Sequence, residues 1–547
     1  MIRPLVCAAI ASLCLVANVL AAPTTAPATA PTTAPGAKGQ TILLVDDHHV
    51  LYRSGTERVV QPAKRHSNQA LIPNDKPWEL MIAWNSVYRD AKTGKYQLWY
   101  QAYAGTKAGV EKPLVNVVAY AESDDGITFR KPELDFFPFK EHKKTNIILI
   151  GNGLGDGAGE RYCCSVLVDE REQDPARRYK MAYYDWSMVK GRPEAGLHLA
   201  FSPDGIKWTK HEKGPLWPTS FGRYAQPAFA DEDILLETPH KDPAKPPRRT
   251  WRYSMTMSDA ADVFYDTTRQ AYVMYGKMWI DSPNGSGQWK HAMGRSESKD
   301  FFNWSKGQLL LTPDDRDPTD VDFHTTPVFL YKGVYFCLNQ ILDRKNKGVI
   351  DIELATSRDG FNFERNYRAE RFLPHNPSGD TFDGRAIFSN STPVYLDDEI
   401  RFYYGAYNET PIGGGYEETR PKNGVGLATI PLDRFGGIRP VAKSEQTTLR
   451  KPLENIGQVT LKPLDLAGVK DITINADASK GSVRVEMLNE KGYRVRGFSK
   501  DDATPLKGDG LRQKVAWKGK KLSDLPAGNY QLRVHLDNAT LYAIDFK

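Results

Sequence analysis

The sequence predicts an all-β chain in which one four-stranded unit is repeated and a β-sandwich follows, and three observations carry that reading. From about Thr41 to about residue 440, apolar and aromatic stretches of strand length are broken by Gly, Asp, Asn and Pro, with almost no segment of helical period. Within that span a Tyr-rich hairpin pattern recurs five times. Between hairpins lies a strand ending in a Ser-x-Asp-Gly turn and an aromatic residue.

Taken in order, residues 1–22 carry Arg3, an apolar run from Leu5 to Leu20 and the small residues Ala21 and Ala22 before Pro23. That is the pattern of a secretory signal, and the run is shorter than the roughly 20 apolar residues a membrane span needs. Residues 23–39 form a Pro/Thr/Ala tract that cannot bury a core and reads as an extended tether. The repeats occupy residues 40–442, and residues 455–547 alternate short strands with Gly/Asp/Lys turns, as a separate β-sandwich does. A chain of 547 residues has room for two such cores.

The hairpins are SVYRDAKTGKYQLWYQAY (86–103), SVLVDEREQDPARRYKMAYYDW (165–186), DVFYDTTRQAYVMYGKMW (262–279), PVFLYKGVYFCLNQ (327–340) and PVYLDDEIRFYYGAYN (393–408). The intervening strands are AYAESDDGITF (119–129), LHLAFSPDGIKW (197–208), MGRSESKDFFNW (293–304) and IELATSRDGFNF (352–363), with VGLATIPLDRF (425–435) keeping the strand and losing the turn. Asp and Ser side chains cap such a turn while Gly takes its positive-φ position. Four strands per unit, repeated radially so that each sheet buries its faces against its neighbours, predict a five-bladed β-propeller.

These hairpins and turns resemble the five-bladed propeller glycoside hydrolases, the broad group that includes families 32, 43, 68 and 130. LLVDDHHV (43–50), DKPWE (75–79), SDAADVFYDTTRQAYVMY (258–275), IDIELATSRDG (350–360), DEIRFYYGAYN (398–408) and VGLATIPLDRFGGI (425–438) look like exported bacterial family 32-like proteins. GYRVRGFSKDD (492–502), LRQKVAWKG (511–519) and ATLYAIDF (539–546) look like the sandwich often appended to them. The sequence lacks the Trp-Met-Asn-Asp-Pro-Asn-Gly, Arg-Asp-Pro and Glu-Cys segments of true invertases, which argues against fructan hydrolysis.

Glycoside hydrolysis needs two carboxylates flanking the scissile bond, one protonated and one ionised. In a propeller, candidates belong where the innermost strand of each blade begins. Asp46, Asp47 and Glu79 precede the first hairpin, and the resemblance implies a nucleophile or base at Asp47 or Asp46, of which at most one faces the tunnel because strand side chains alternate. Asp259 and Asp262 precede the third, and the resemblance implies a transition-state role for Asp259. Asp322 and His324 open the fourth blade; Asp383 and Arg385 open the fifth; Arg161 opens the second, where it suits an anionic group or an inter-blade ion pair. Catalysis is expected from Asp47, Asp259, Asp322 and Asp383, and substrate binding from Asp46, Glu79, Arg161, Asp262, His324 and Arg385.

No cofactor or metal is expected: Cys163 and Cys164 point to opposite faces, Cys337 stands apart, and there is no zinc spacing. With 73 basic and 67 acidic residues and no dense Lys/Arg run, there is no nucleic-acid footprint. The expectation is therefore an exported, secreted or periplasmic glycosidase acting on a terminal bond of an oligo- or polysaccharide. A carbohydrate-binding propeller without chemistry and a family 130-like phosphorylase are the alternatives.

Overall fold

A computed structural model describes residues 34–104, 116–154, 164–189, 192–216, 234–238, 244, 248–252, 257–281, 289–346, 348–408, 422–443 and 453–547. The expected leader 1–22, most of the tether, Arg161 and Cys163 lie outside these residues. Among the described residues the chain is all β, its helical turns being the three-residue Pro175–Arg177 and Leu522–Asp524. No helix of the described residues is long and apolar enough to cross a membrane.

All five expected hairpins form. The first three each belong to a separate antiparallel four-stranded sheet: Met81–Arg89, Tyr96–Tyr103, Asn116–Ser123 and Ile147–Leu149; Ser165–Val168, Tyr179–Val189, Arg192–Ser202 and Thr209–Lys210; and Met257–Asp266, Ala271–Asp281, Trp289–Ser298 and Gln308–Leu311. The fourth (Val328–Tyr331 with Val334–Asp343) and fifth (Val394–Tyr395 with Glu399–Tyr407) share one ten-stranded sheet, joined by a parallel bridge between Ile350 and Ala386. Its outermost strands come from the other end of the chain, Lys64–Arg65 and Ile72–Pro73 pairing with Asn423–Pro431.

Two sets of hydrogen bonds order these units. In the first set, Val166 N–H donates to Ser86 Oγ (3.0 Å), Val263 N–H to Ser165 Oγ (2.9 Å) and Val87 N–H to Thr392 Oγ1 (3.0 Å), while Thr326 Oγ1 donates to Gly276 O (3.3 Å). With the Ile350–Ala386 bridge, these contacts link the units one to two, two to three, three to four, four to five and five back to one. At the periphery, Trp99 Nε1 donates to Gly205 O (2.6 Å), Tyr403 OH to Gly126 O (2.7 Å) and Tyr275 OH to Gly360 O (2.7 Å), each from an aromatic of one unit to the Ser-x-Asp-Gly turn of the next.

The turns are built as their residues dictate. Ser123 Oγ accepts from Gly126 N–H (2.9 Å), and Asp125 Oδ1 accepts from Ile127 and Thr128 N–H (2.7 Å each). Gly126 sits at φ +72°, and a Cβ there would lie 2.5 Å from Tyr403 Oη, so both conformation and space require glycine. In the third unit Phe301 takes the same conformation at φ +71° and fills the gap itself, packing on Tyr272 (5.1 Å) and Trp304 (5.5 Å).

The domain boundary differs from the sequence expectation. Thr41–Leu43 pairs with Thr540–Phe546, Val50–Ser54 with Ile456–Leu461, and Thr56–Val60 with Gly436–Pro440, so residues 41–60 belong to the ten-stranded sheet of the C-terminal region. Nor is that region separate. Leu43, Val45 and Ala543 pack in one buried cluster with Phe329, Phe336 and Phe435, and Phe336 stacks on Phe435 at 3.9 Å. Arg434 reaches across to Asn475 Oδ1 (2.7 Å) and Asp509 Oδ1 (2.5 Å).

Candidate functional site

One apolar and aromatic cluster draws on all five units: Trp84, Trp186, Ala260, Leu342, Phe388 and Tyr407 are buried together. Trp84 comes from a strand, MIAWNSVYR, whose register slips between Ile82 and Asn85, and Phe388 packs 4.8 Å from its ring. Adjoining residues form a polar layer: Asn390 Nδ2 donates to Asn85 Oδ1 (2.8 Å), and Ser391, through N–H and Oγ, donates to Asp262 (3.4 Å each). Full burial, only partly offset by these and the Ser165 hydroxyl, pushes the Asp262 carboxyl up to about 7.

The fourth unit enters this cluster through Val321–Phe323 and His324. The His324 ring lies 5.9 Å from Trp84 in a stacked arrangement, 5.6 Å from Phe388 and 6.1 Å from His291. Its Nδ1 is 3.1 Å from Gln340 Oε1, an acceptor position, so Nδ1 carries the proton. Burial, reinforced by the charges of Lys277 and Arg344, pulls both His324 and His291 well below the usual histidine range, so both are neutral at pH 7. Asp322, two residues before His324, is buried and ion-paired to Arg344, itself half exposed. Between them Phe323 carries the Arg365 guanidinium over its ring at 4.8 Å, and Arg365 is bound in turn to Glu353 (2.5 Å) and Asp317 (2.5 Å). That chain of charges fixes the backbone presenting Asp322 and His324.

At the central cluster His324 Nε2 and Trp186 Nε1 are buried with no hydrogen-bond partner among the described residues. An orphaned buried donor or acceptor costs about 1–3 kcal/mol, so a cluster of them marks a place that a polar ligand or water completes. Among the described residues no group of three or more His, Cys, Asp or Glu is arranged to hold a metal ion.

The other expected site residues are placed elsewhere. Asp46 and Asp47 do not open the first unit, whose first strand begins at Met81; they lie in the turn between Thr41–Leu43 and Val50–Ser54. Asp46 is bidentate to Arg358 (2.7 and 2.9 Å). Burial acts to raise its carboxyl, yet the Arg358 hydrogen bond and charge and the His48 N–H prevail and hold it below the usual range. Asp47 accepts from Arg58 (2.6 Å) and Arg53 (3.2 Å). Both line a polar cleft of about 540 Å³ between this turn and the Ser357–Gly360 turn of the fourth unit. Glu79 is buried and satisfied by Tyr100 OH (2.6 Å) and Lys131 Nζ (2.6 Å), its carboxyl raised because burial outweighs the lysine. Asp383 is likewise buried, accepting from Arg65 Nε (2.5 Å), Tyr404 OH (3.0 Å) and Thr381 Oγ1 (2.8 Å), so it fastens the N-terminal strand to the fifth unit. Arg385 is half-buried at the start of that unit, its carbonyl accepting from Ile350 N–H (3.0 Å). The backbone of Asp259 is in the strand Met257–Asp266, and its side chain lies outside the described residues.

Of the ten expected residues, then, Asp262, Asp322 and His324 are at the central cluster. Beside them lie Trp84, Lys277, His291, Gln340 and Arg344, which the sequence expectation does not include. A signal existed for one of them: Lys277 sits alone in the otherwise apolar strand AYVMYGKMW, and it is buried.

No family model matches the sequence, and no curated protein matches it. Similar solved structures include one titled a glycoside hydrolase (14% identity, 68% of this chain and 92% of that one, TM-score 0.41). Others are an N-acetylgalactosamine deacetylase from F. plautii (16%, 69% and 96%, TM-score 0.41) and the Bombyx mori family 32 β-fructofuranosidase (11%, 88% and 94%, TM-score 0.39). At these scores the functional reading rests on the site itself.

Proposed function

We propose that the five units close into a five-bladed propeller and that the chain is an exported glycoside hydrolase whose active site is the central cluster around Trp84, Asp322 and His324. The observation that carries this reading is the convergence of stacked aromatic rings with orphaned polar atoms and a buried carboxylate at one place drawn from every unit. A sugar presents an apolar face and a rim of hydroxyls, and such a site offers a partner for each. The cyclic order of contacts between units supports the propeller.

In this reading Asp322, ion-paired to Arg344, is the ionised carboxylate. Asp259, at the start of the neighbouring unit, supplies the second carboxyl. His324 Nε2 and Trp186 Nε1 bind hydroxyls. Attack on a terminal sugar, rather than on the middle of a chain, is part of this reading. The pattern of residues 1–22 supports export. The basic side chains Lys277 and Arg344 beside the histidines favour phosphorolysis as a second reading. A panel of oligosaccharides incubated with and without inorganic phosphate separates the two: hydrolysis releases reducing sugar in both conditions, phosphorolysis releases sugar phosphate in one, and no cleavage in either contradicts both.

A further inference from the structure

The second unit carries a different constellation. Ser187 Oγ lies 2.7 Å from His198 Nε2, and His198 Nδ1 lies 2.9 Å from the carbonyl of Gly196. A carbonyl only accepts, so Nδ1 bears the proton and Nε2 is the acceptor for the Ser187 hydroxyl, the tautomer in which a histidine takes a proton from serine. Ser187 is half-buried, beside the exposed Met188. Asn152 completes the group: Lys210 Nζ donates to its Oδ1 (2.7 Å), which turns the amide nitrogen toward Trp186 O (2.8 Å) and Ser187 Oγ (3.4 Å). One Nδ2 hydrogen is used by Trp186, and the second faces the serine.

We propose that Ser187, His198 and Asn152 form an acyl-transfer site that hydrolyses small acyl esters, independent of the central cluster. Ser187 Oγ adds to the ester carbonyl carbon as its proton passes to His198 Nε2, and Asn152 Nδ2–H donates to the oxyanion. The C–O bond to the alcohol breaks, the alcohol leaves with the proton from Nε2, and an acyl-serine remains. Water then adds with His198 again taking the proton, and Ser187 and the carboxylic acid are released. Gly196 O has the orienting role that a carboxylate has in a triad.

The test uses the whole mature chain with 4-nitrophenyl acetate and a fluorophosphonate probe, the modified residue being mapped by mass spectrometry. Modification of Ser187 is expected, together with a fall of at least about 100-fold in ester hydrolysis for Ser187→Ala, which removes the nucleophile with little change of volume. Asn152→Ala is expected to lower kcat with KM little changed. Ser187 left unmodified, or hydrolysis by Ser187→Ala at the wild-type rate, overturns the proposal; a Ser187→Ala protein that melts like wild type excludes misfolding as the cause of the loss.

Discussion

Two acidic regions of this molecule look alike in sequence and differ in what surrounds them. At the junction of the units with the C-terminal sheet, Asp46 and Asp47 are answered by three arginines, so every carboxylate oxygen with a partner has a cationic one or a backbone N–H. At the central cluster, Asp322 has one arginine, while His324 and Trp186 keep polar atoms without partners among the described residues. The first region is closed upon itself and holds two parts of the chain together. The second is incomplete as it stands, which is the condition of a binding site.

The sharpest way to break the comparison is substitution on each side. Asp322→Asn is expected to lower glycosidase activity by about 10²–10⁴-fold, the range for a positioned acid or base, whereas Asp47→Asn stays within about threefold of wild type. Equal losses would erase the distinction. Next is Phe435→Ala, which opens the core shared by the last units and the C-terminal sheet and is expected to cost about 3–5 kcal/mol. Because that core is shared, calorimetry should show one transition lowered as a whole; an unchanged propeller transition would mean two independent bodies.

Asp262 gives a pH test. Its folded carboxyl, raised to about 7, keeps a proton that the unfolded chain releases near pH 4. Its stabilising contribution is complete below about pH 4 and is lost as pH rises through 7. Asp262→Asn should therefore be more stable than wild type above pH 7, by about 2–4 kcal/mol, with the gap closing below pH 4. The smallest effect belongs to the junction: Arg358→Ala leaves a mostly buried Asp46 carboxylate without its partner and is expected to cost about 1–2 kcal/mol at pH 7. Since Asp46 is held below its ordinary range, that cost should shrink as acid protonates it.

What was legible in the sequence was what is encoded locally. The hairpins and the Ser-x-Asp-Gly turns form where expected because cap, glycine and aromatic lie within a few residues of each other, as in Ser202, Asp204, Gly205 and Trp208. Even Phe301, without the glycine, keeps the turn because Asp300 still caps it, accepting from Phe302 and Asn303 N–H (2.9 and 2.7 Å). Partners distant in the chain were not legible. Arg358 lies 312 residues from Asp46, and Asp545 lies 504 from Thr41, so neither the ion pair nor the weaving of residues 41–60 into the C-terminal sheet shows in local pattern. The Arg65 partner of Asp383 is hidden for the same reason, being 318 residues away. Asp322 and His324 stand out in the sequence because a polar pair before an apolar hairpin is visible locally. Of their neighbours, Trp84, Lys277 and His291 come from other units and Arg344 from the far end of the same hairpin, so none of these contacts shows in local pattern.

Where the sugar binds separates the central cluster from the junction most directly. The measurement is a crystal structure of the Asp322→Asn protein soaked with the oligosaccharide that the wild type cleaves. A sugar ring against Trp84, with hydroxyls on His324 Nε2 or Trp186 Nε1, is the predicted result; a sugar seated only in the cleft lined by Asp46, Asp47 and Arg358 would contradict it.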